Sequence, residues 1–279
     1  MKSLYLFLFI ALITSVCATS QVTAENDETV SYYIQDLFLG EAVSISNITI
    51  NGMSGDSISR QVGSFENNNG YLPLSSGVVL STGAVADTGG VIFGEQTSIF
   101  IQNGVSGDID LEQITSQNVN DVVSIEFDFV PLGNRVTFKY VFASEEYCEF
   151  VGSIFNDNFG FFVSGPGING EFTDNAINVA TLPNSDEFVS INTVNYASNA
   201  SSYVKNELPE DANNCGINFG ANYLNGIEFD GFTVPLKATF DVVPCETYHI
   251  RLVVGDVGDD KLDSAVFLQS KSFDLGDAV

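Results

Sequence analysis

The sequence predicts an all-β protein, a two-sheet antiparallel β-sandwich of jelly-roll-like form with long loops and a short N-terminal helix. Three observations predict it. Apolar and polar residues alternate at period two in several long runs. Loops rich in Gly, Asn and Asp separate those runs. Helical periodicity is almost absent after the first forty residues. A strand alternating in this way has one face to bury, and a second sheet is the usual cover for it. With 44% hydrophobic residues and 23 Phe, the chain has enough apolar material for one large core.

The first segment stands apart from this pattern. Lys2 supplies a positive start, and Leu4 to Val16 is an apolar run too short to span a bilayer. Val16-Cys17-Ala18 and Val22-Thr23-Ala24 both fit a small-x-Ala cleavage pattern, so residues 1–24 are read as a secretory signal peptide cleaved after Ala18 or Ala24. Val16 is bulky where a lipoprotein signal has a small residue before its cysteine, which argues against lipidation. Residues 25–279 then form a single domain, with no internal repeat and no linker.

Within the domain, Val30 to Leu39 has helical spacing, apolar at Tyr33, Ile34, Leu37 and Phe38. Val43, Ile45, Ile48 and Ile50 begin the period-two pattern, and Gly77 to Thr82 reads as a buried strand. Residues 83–120 read as a long loop with one or two short strands. Val123, Ile125, Phe127 and Phe129 alternate with polar residues, as do Val136, Phe138, Tyr140 and Phe142. With Pro131-Leu132-Gly133-Asn134 between them, the two runs predict a hairpin whose polar faces pair opposite charges. Phe232 to Asp241 and Tyr248 to Val254 repeat the alternation, Pro235 marking an edge or bulge, and Ala265 to Leu268 is the last apolar run.

The charge balance is 36 Asp+Glu against 9 Lys+Arg, a net −27. So negative a surface repels phosphate backbones, which excludes nucleic acid as a partner, and no later stretch is apolar enough for a transmembrane segment. It favours cations. Two loops concentrate the carboxylates: Glu145, Glu146, Asn156 and Asp157 flank one strand end, and Asp256, Asp259, Asp260 and Asp263 lie between two later runs. Hard cations take six to eight oxygen ligands, and crowded carboxylates repel unless a cation neutralises them. These eight residues are therefore expected to hold Ca²⁺ jointly, although no EF-hand spacing is present. Asp108 and Asp110 form a weaker candidate. The alternative is that the loops are solvated, with Asp and Asn capping turns.

Catalysis finds little support. The single histidine, His249, lies within a strand and has no partner constellation. Glu145 and Glu146, taken as neighbours on a strand, point to opposite faces and suit no glycosidase pair. Of the cysteines left after cleavage, Cys148 and Cys215 lie in loop-like sequence and are expected to form a disulfide, permitted by export. Cys245, at a strand start, is expected to be a buried thiol.

Seven stretches resemble one known family: Gly77 to Gly83, Ile125 to Pro131, Phe138 to Tyr147, Phe155 to Gly167, Asp230 to Val234, Thr247 to Leu252 and Asp263 to Leu268. FASEEY, FNDNFGFF and DSAVFL are specific in combination. They are similar to the choice-of-anchor L domain of secreted bacterial proteins, of Bacteroidetes type. The resemblance implies a secreted or surface-attached β-rich domain, usually followed by an anchor, and supplies no catalytic residues. No anchor motif follows here, so attachment to a surface is expected to run through another protein. The resulting expectation is a non-enzymatic extracellular binding or adhesion module, stabilised by Ca²⁺ and recognising glycan or matrix protein. A structural matrix or surface-layer component assembled through divalent ions is the alternative, and an extracellular hydrolase the remote one.

Overall fold

A computed structural model of the protein describes residues 22–40, 44–68, 70–86, 105–206, 227 and 229–275. The strands among them are β1 Val22–Glu25, β2 Ile45–Ile50, β3 Met53–Ser54, β4 Val62–Asn67, β5 Ser76–Ser81, β6 Val119–Phe129, β7 Arg135–Ser144, β8 Asn158–Ser164, β9 Ile177–Asn178, β10 Tyr203–Lys205, β11 Gly231–Thr233, β12 Leu236–Asp241, β13 Tyr248–Val257 and β14 Ser264–Gln269. They form two antiparallel sheets packed as a sandwich. The larger runs β1-β4-β5-β14-β7-β11-β10, with β12 also on β7, and the smaller runs β3-β2-β6-β13-β8-β9.

The expected hairpin over 122–142 is not formed. β6 pairs with β13 and β2 in the smaller sheet, while β7 pairs with β14, β11 and β12 in the larger. Both strands have the alternation that was read from them. Their apolar faces meet across the sandwich instead of lying side by side in one sheet. The polar faces accordingly find other partners: Arg135 Nε donates to Asp241 on β12 at 2.9 Å, and Glu126 and Asp128 face Arg251 and His249 on β13.

The space between the sheets is filled by aromatic side chains. Phe138 on β7 packs edge-on against Phe38 and Phe161, with ring centroids 5.6 and 5.0 Å away, and stacks on Phe273 at 5.6 Å. Such pairs add about 0.5–1.5 kcal/mol each beyond area burial. The stretch 30–39 is helical, as its spacing predicts, but only Val30–Tyr32 (α1) is α-helical, with the Thr29 hydroxyl accepting from the Tyr32 N–H. Tyr33–Leu39 is wound wider, as a π-helix, and buries Tyr33, Ile34, Phe38 and Leu39.

Three further expectations change. The stretch read as loop contains α2, Ile109–Thr115, with the Asp108 side chain accepting from the Asp110 and Leu111 N–H groups as N-cap. Seven residues are too few for 3.6-residue periodicity to declare itself beside Gly and Asp. Val234-Pro235 divides the expected strand 232–241 into β11 and β12, since Pro has no N–H for the ladder. Cys245 is an exposed free thiol in the turn between β12 and β13, with φ +63°, not a buried one. Cys215 and residues 1–21 of the leader lie outside the described residues.

β14 occupies a special place. Though last of the described strands in sequence, it lies inside the larger sheet, between β5 and β7. Among the described strands it is the one that joins β1-β4-β5 to the strands on the other side.

Candidate cation site at the sandwich rim

Antiparallel pairing gathers six strand ends at one rim. β5 and β7 finish there and β14 begins there in the larger sheet; β13 finishes and β6 and β8 begin there in the smaller. Glu145 and Glu146 follow the end of β7, Asp157 precedes β8, Asp256 lies at the end of β13 next to a register shift, and Asp263 precedes β14. The two acidic loops, about a hundred residues apart in sequence, therefore meet. Glu145 Oε2 accepts from the Asp263 N–H at 3.0 Å, and the Glu145 N–H donates to the Asp263 carbonyl at 3.1 Å. Asp157 accepts from the Val257 N–H at 2.8 Å and from the Ser264 hydroxyl at 2.7 Å.

All five of these carboxylates are buried: Glu145 and Asp157 at 0% exposure, Asp256 at 1%, Glu146 at 2% and Asp263 at 6%. Ionised groups in such a place each carry a desolvation cost of several kcal/mol. Burial raises the Glu146 carboxyl to about 9, helped by Asp157, Asp259 and Glu149. Burial also raises Asp157 to about 7, against the bonds from Val257 and Ser264 that favour its charged form. Asp256 is driven well above the usual carboxylate range, first by burial and then by the neighbouring Asp157. The neighbouring charges that act on these three groups are carboxylates: Asp157, Asp259, Glu149, Asp263 and Asp121. Glu146 Oε2 and both Asp256 oxygens are buried with no hydrogen bond of good geometry, the Thr82 hydroxyl and Asp157 being close enough only to influence Asp256.

The remaining predicted ligands sit differently. Asp259 is half-buried on the rim, where its backbone carbonyl accepts from Asn120 Nδ2 at 2.9 Å. Asp260 is exposed. Asn156 Oδ1 accepts from the Asn192 N–H at 2.8 Å and so ties its loop to the 190s. Glu145 and Glu146 occupy a turn, not a strand, so both turn into the same cluster instead of opposite faces. Sequence reasoning passed over Thr82 and Asp121. The Thr82 hydroxyl accepts from the Ser264 N–H at 2.9 Å, and Asp121, raised by burial and by Asp260, acts in turn on Asp256. Only the strand order puts them here; their local sequence reads as the ends of apolar runs. Gly83 closes the wall: a Cβ there would lie 1.8 Å from Asp263 Oδ2. The oxygen-only donor set suits a hard divalent cation. Among the described residues, however, no three His, Cys, Asp or Glu side chains already converge as ligands about one point.

The weaker acidic candidate has another use. Asp108 and Asp110 both accept from the Arg251 guanidinium, and Asp110 Oδ1 also accepts from the Thr173 N–H and hydroxyl at 2.9 Å. One residue pair along β13, His249 is held between Asp128 at 2.8 Å from Nδ1 and Glu126 at 3.3 Å from Nε2. The Glu126 bond raises the His249 pKa above its ordinary value, and the same bond lowers that of Glu126. A raised histidine contributes stability fully below its unfolded pKa of about 6.5 and loses it as pH rises through the folded value; the lowered Glu126 contributes above about 4.5 and loses it as pH falls. The difference in melting temperature between wild type and His249→Gln should therefore be largest between about pH 4.5 and 6.5 and vanish on the alkaline side. The imidazole is partly exposed, so solvent screening limits the effect to about 1 kcal/mol or less.

The family model of the choice-of-anchor L domain matches residues 21–274. No curated protein matches the chain, and no solved structure does.

Proposed function

The chain belongs to the choice-of-anchor L domain family, and from that premise we propose that it is a non-enzymatic extracellular binding or adhesion module whose rim is fastened by Ca²⁺. Membership points to an extracellular surface module, and the all-β fold fits one. No helix of the described residues is long and apolar enough to cross a membrane. The single observation that supports the cation is the buried meeting of Glu146, Asp157 and Asp256, each raised by burial and by neighbouring carboxylates. In this reading Glu146, Asp256 and Asp263 supply carboxylate oxygens and Asp259 closes the site from the rim, after small side-chain rotations. The cation supplies the neutralising charge that lets the loops after β7 and β13 remain packed. Calcium in excess over its dissociation constant by a thousandfold should stabilise the fold by about 4 kcal/mol. Differential scanning calorimetry with calcium and with chelator measures it; coincident transitions would discard the cation.

Asp259 and Asp260 on the accessible side of the same loop favour a second reading, in which divalent ions bridge copies of the chain into a matrix. Size-exclusion chromatography at raised calcium separates the two, since a binding module elutes unchanged.

Two processing steps belong to the same proposal. Val22 and Ala24 are buried and β1 is paired with β4 from Val22 onward. Cleavage after Ala24 would remove most of that strand, so cleavage after Ala18 is the productive event. Intact-mass measurement of the exported protein should place its first residue at Thr19. Cys245 being free and exposed, Cys148 and Cys215 are left to pair with each other in the mature chain.

A further inference from the structure

A second polar recess lies on the outer face of the smaller sheet. Its volume is about 260 Å³, and Ile109, Glu126, Phe162, Ser164, Asp174 and Arg251 are among the residues around it. The recess is built, not incidental. Register places Arg251 between Glu126 on β6 and Phe162 on β8, and His249 between Asp128 and Ser164. Arg251 is clamped by Asp108 and Asp110 and lies 4.7 Å above the Phe162 ring, so its plane is fixed. α2 and the segment around Thr173, joined through Asp110, form the opposite wall.

The geometry points to this recess as a site for one neutral sugar residue of an extracellular glycan. Three features select that chemistry. Its size lies just under the roughly 300–1,000 Å³ of pockets for drug-sized ligands, which admits one ring. Carboxylates (Asp108, Asp110, Glu126, Asp174) outnumber cations (Arg251, His249), so sulfated, phosphorylated and uronic acid groups are repelled, while the two cations oppose an ammonium group. What is left is an alternation of acceptors (Glu126, Asp174), mixed hydroxyls (Ser164, Thr173) and fixed donors (Arg251), the pattern that vicinal sugar hydroxyls satisfy. Ile109, 71% exposed at the rim, supplies apolar surface for the C–H face of the ring.

The inference rests on the binding-module reading and is independent of the cation. The test uses the mature protein and methyl glycosides of neutral hexoses and N-acetylhexosamines, with glucuronic acid and n-butylamine as charged controls. Binding is followed by NMR of the Arg251 side chain and His249 ring, and by a glycan array. Neutral glycosides should shift both signals and the controls should not. Ser164→Ala and Asp174→Asn, both outside the ion-pair clamp, should each weaken binding about three- to tenfold, as expected for one lost hydrogen bond. Array binding that survives both substitutions would overturn this site and leave the module reading intact. A blank array with unmoved NMR signals would overturn the sugar site and leave a protein ligand as the module's partner. A response to butylamine alone would replace the sugar by a cationic ligand and overturn the assignment.

Discussion

Asp256→Asn should raise the melting temperature in chelator and abolish the stabilisation by calcium. The two effects have one origin. Without a cation, Asp256 faces Asp157 with both oxygens buried, and ionising it costs free energy that the neutral amide does not incur. Removing that cost should be worth about 1–3 kcal/mol at pH 8. With calcium, the same side chain is a proposed ligand, and its loss removes the benefit. The pH profile carries a matching sign. Glu146 and Asp157 hold protons more tightly in the folded state than in the unfolded one, so the native state binds more protons and stability falls as pH rises. In chelator, wild-type stability should therefore decline from about pH 4, the ordinary carboxylate range, up through the raised values of about 7 for Asp157 and about 9 for Glu146. Calcium should flatten that decline. Thermal scans of wild type and variant at pH 5, 7 and 9 measure both; a variant less stable than wild type in chelator would show that Asp256 serves the fold as a hydrogen-bonded structural carboxyl.

Phe138→Ala should cost about 3–5 kcal/mol, the usual range for emptying a buried aromatic site. Phe138 has no exposed surface, and its ring touches Phe38 from the helical segment, Phe161 from the smaller sheet and Phe273 from the C-terminal segment. It thus packs the helical segment and the smaller sheet against β7, and the cavity would open between the layers, where little can collapse into it. The urea midpoint should fall with an unchanged slope. Leu132→Ala, at a half-exposed turn position, should stay within about 0.5 kcal/mol of wild type.

These particular residues show what the sequence could and could not disclose. The alternation of Val136, Phe138, Tyr140 and Phe142 shows which face is buried, because period two is a property of one strand alone. It does not show which strand lies alongside, and the expected pairing of β6 with β7 fails for that reason. Proximity in sequence favours a hairpin, but two apolar faces are covered equally well when the chain crosses between sheets. The acidic loops were visible as composition. Their meeting depends on β14 lying beside β7 and on β13 lying beside β8, information spread over more than a hundred residues. The parts played by Thr82 and Asp121 were invisible on the same ground. Asn156 shows the converse: a residue of the right type at the right place in the loop spends its oxygen on the Asn192 backbone, a choice no local pattern reveals.

The position of β14 also bears on how such a chain folds. Because β14 follows the other described strands and is the keystone between β5 and β7, the larger sheet cannot close until residues 264–269 are in place, and its contacts are mostly distant in sequence, which slows folding. The strands on either side of β14 are therefore held open to one another until residues 264–269 dock, and the sheet closes in a single late step.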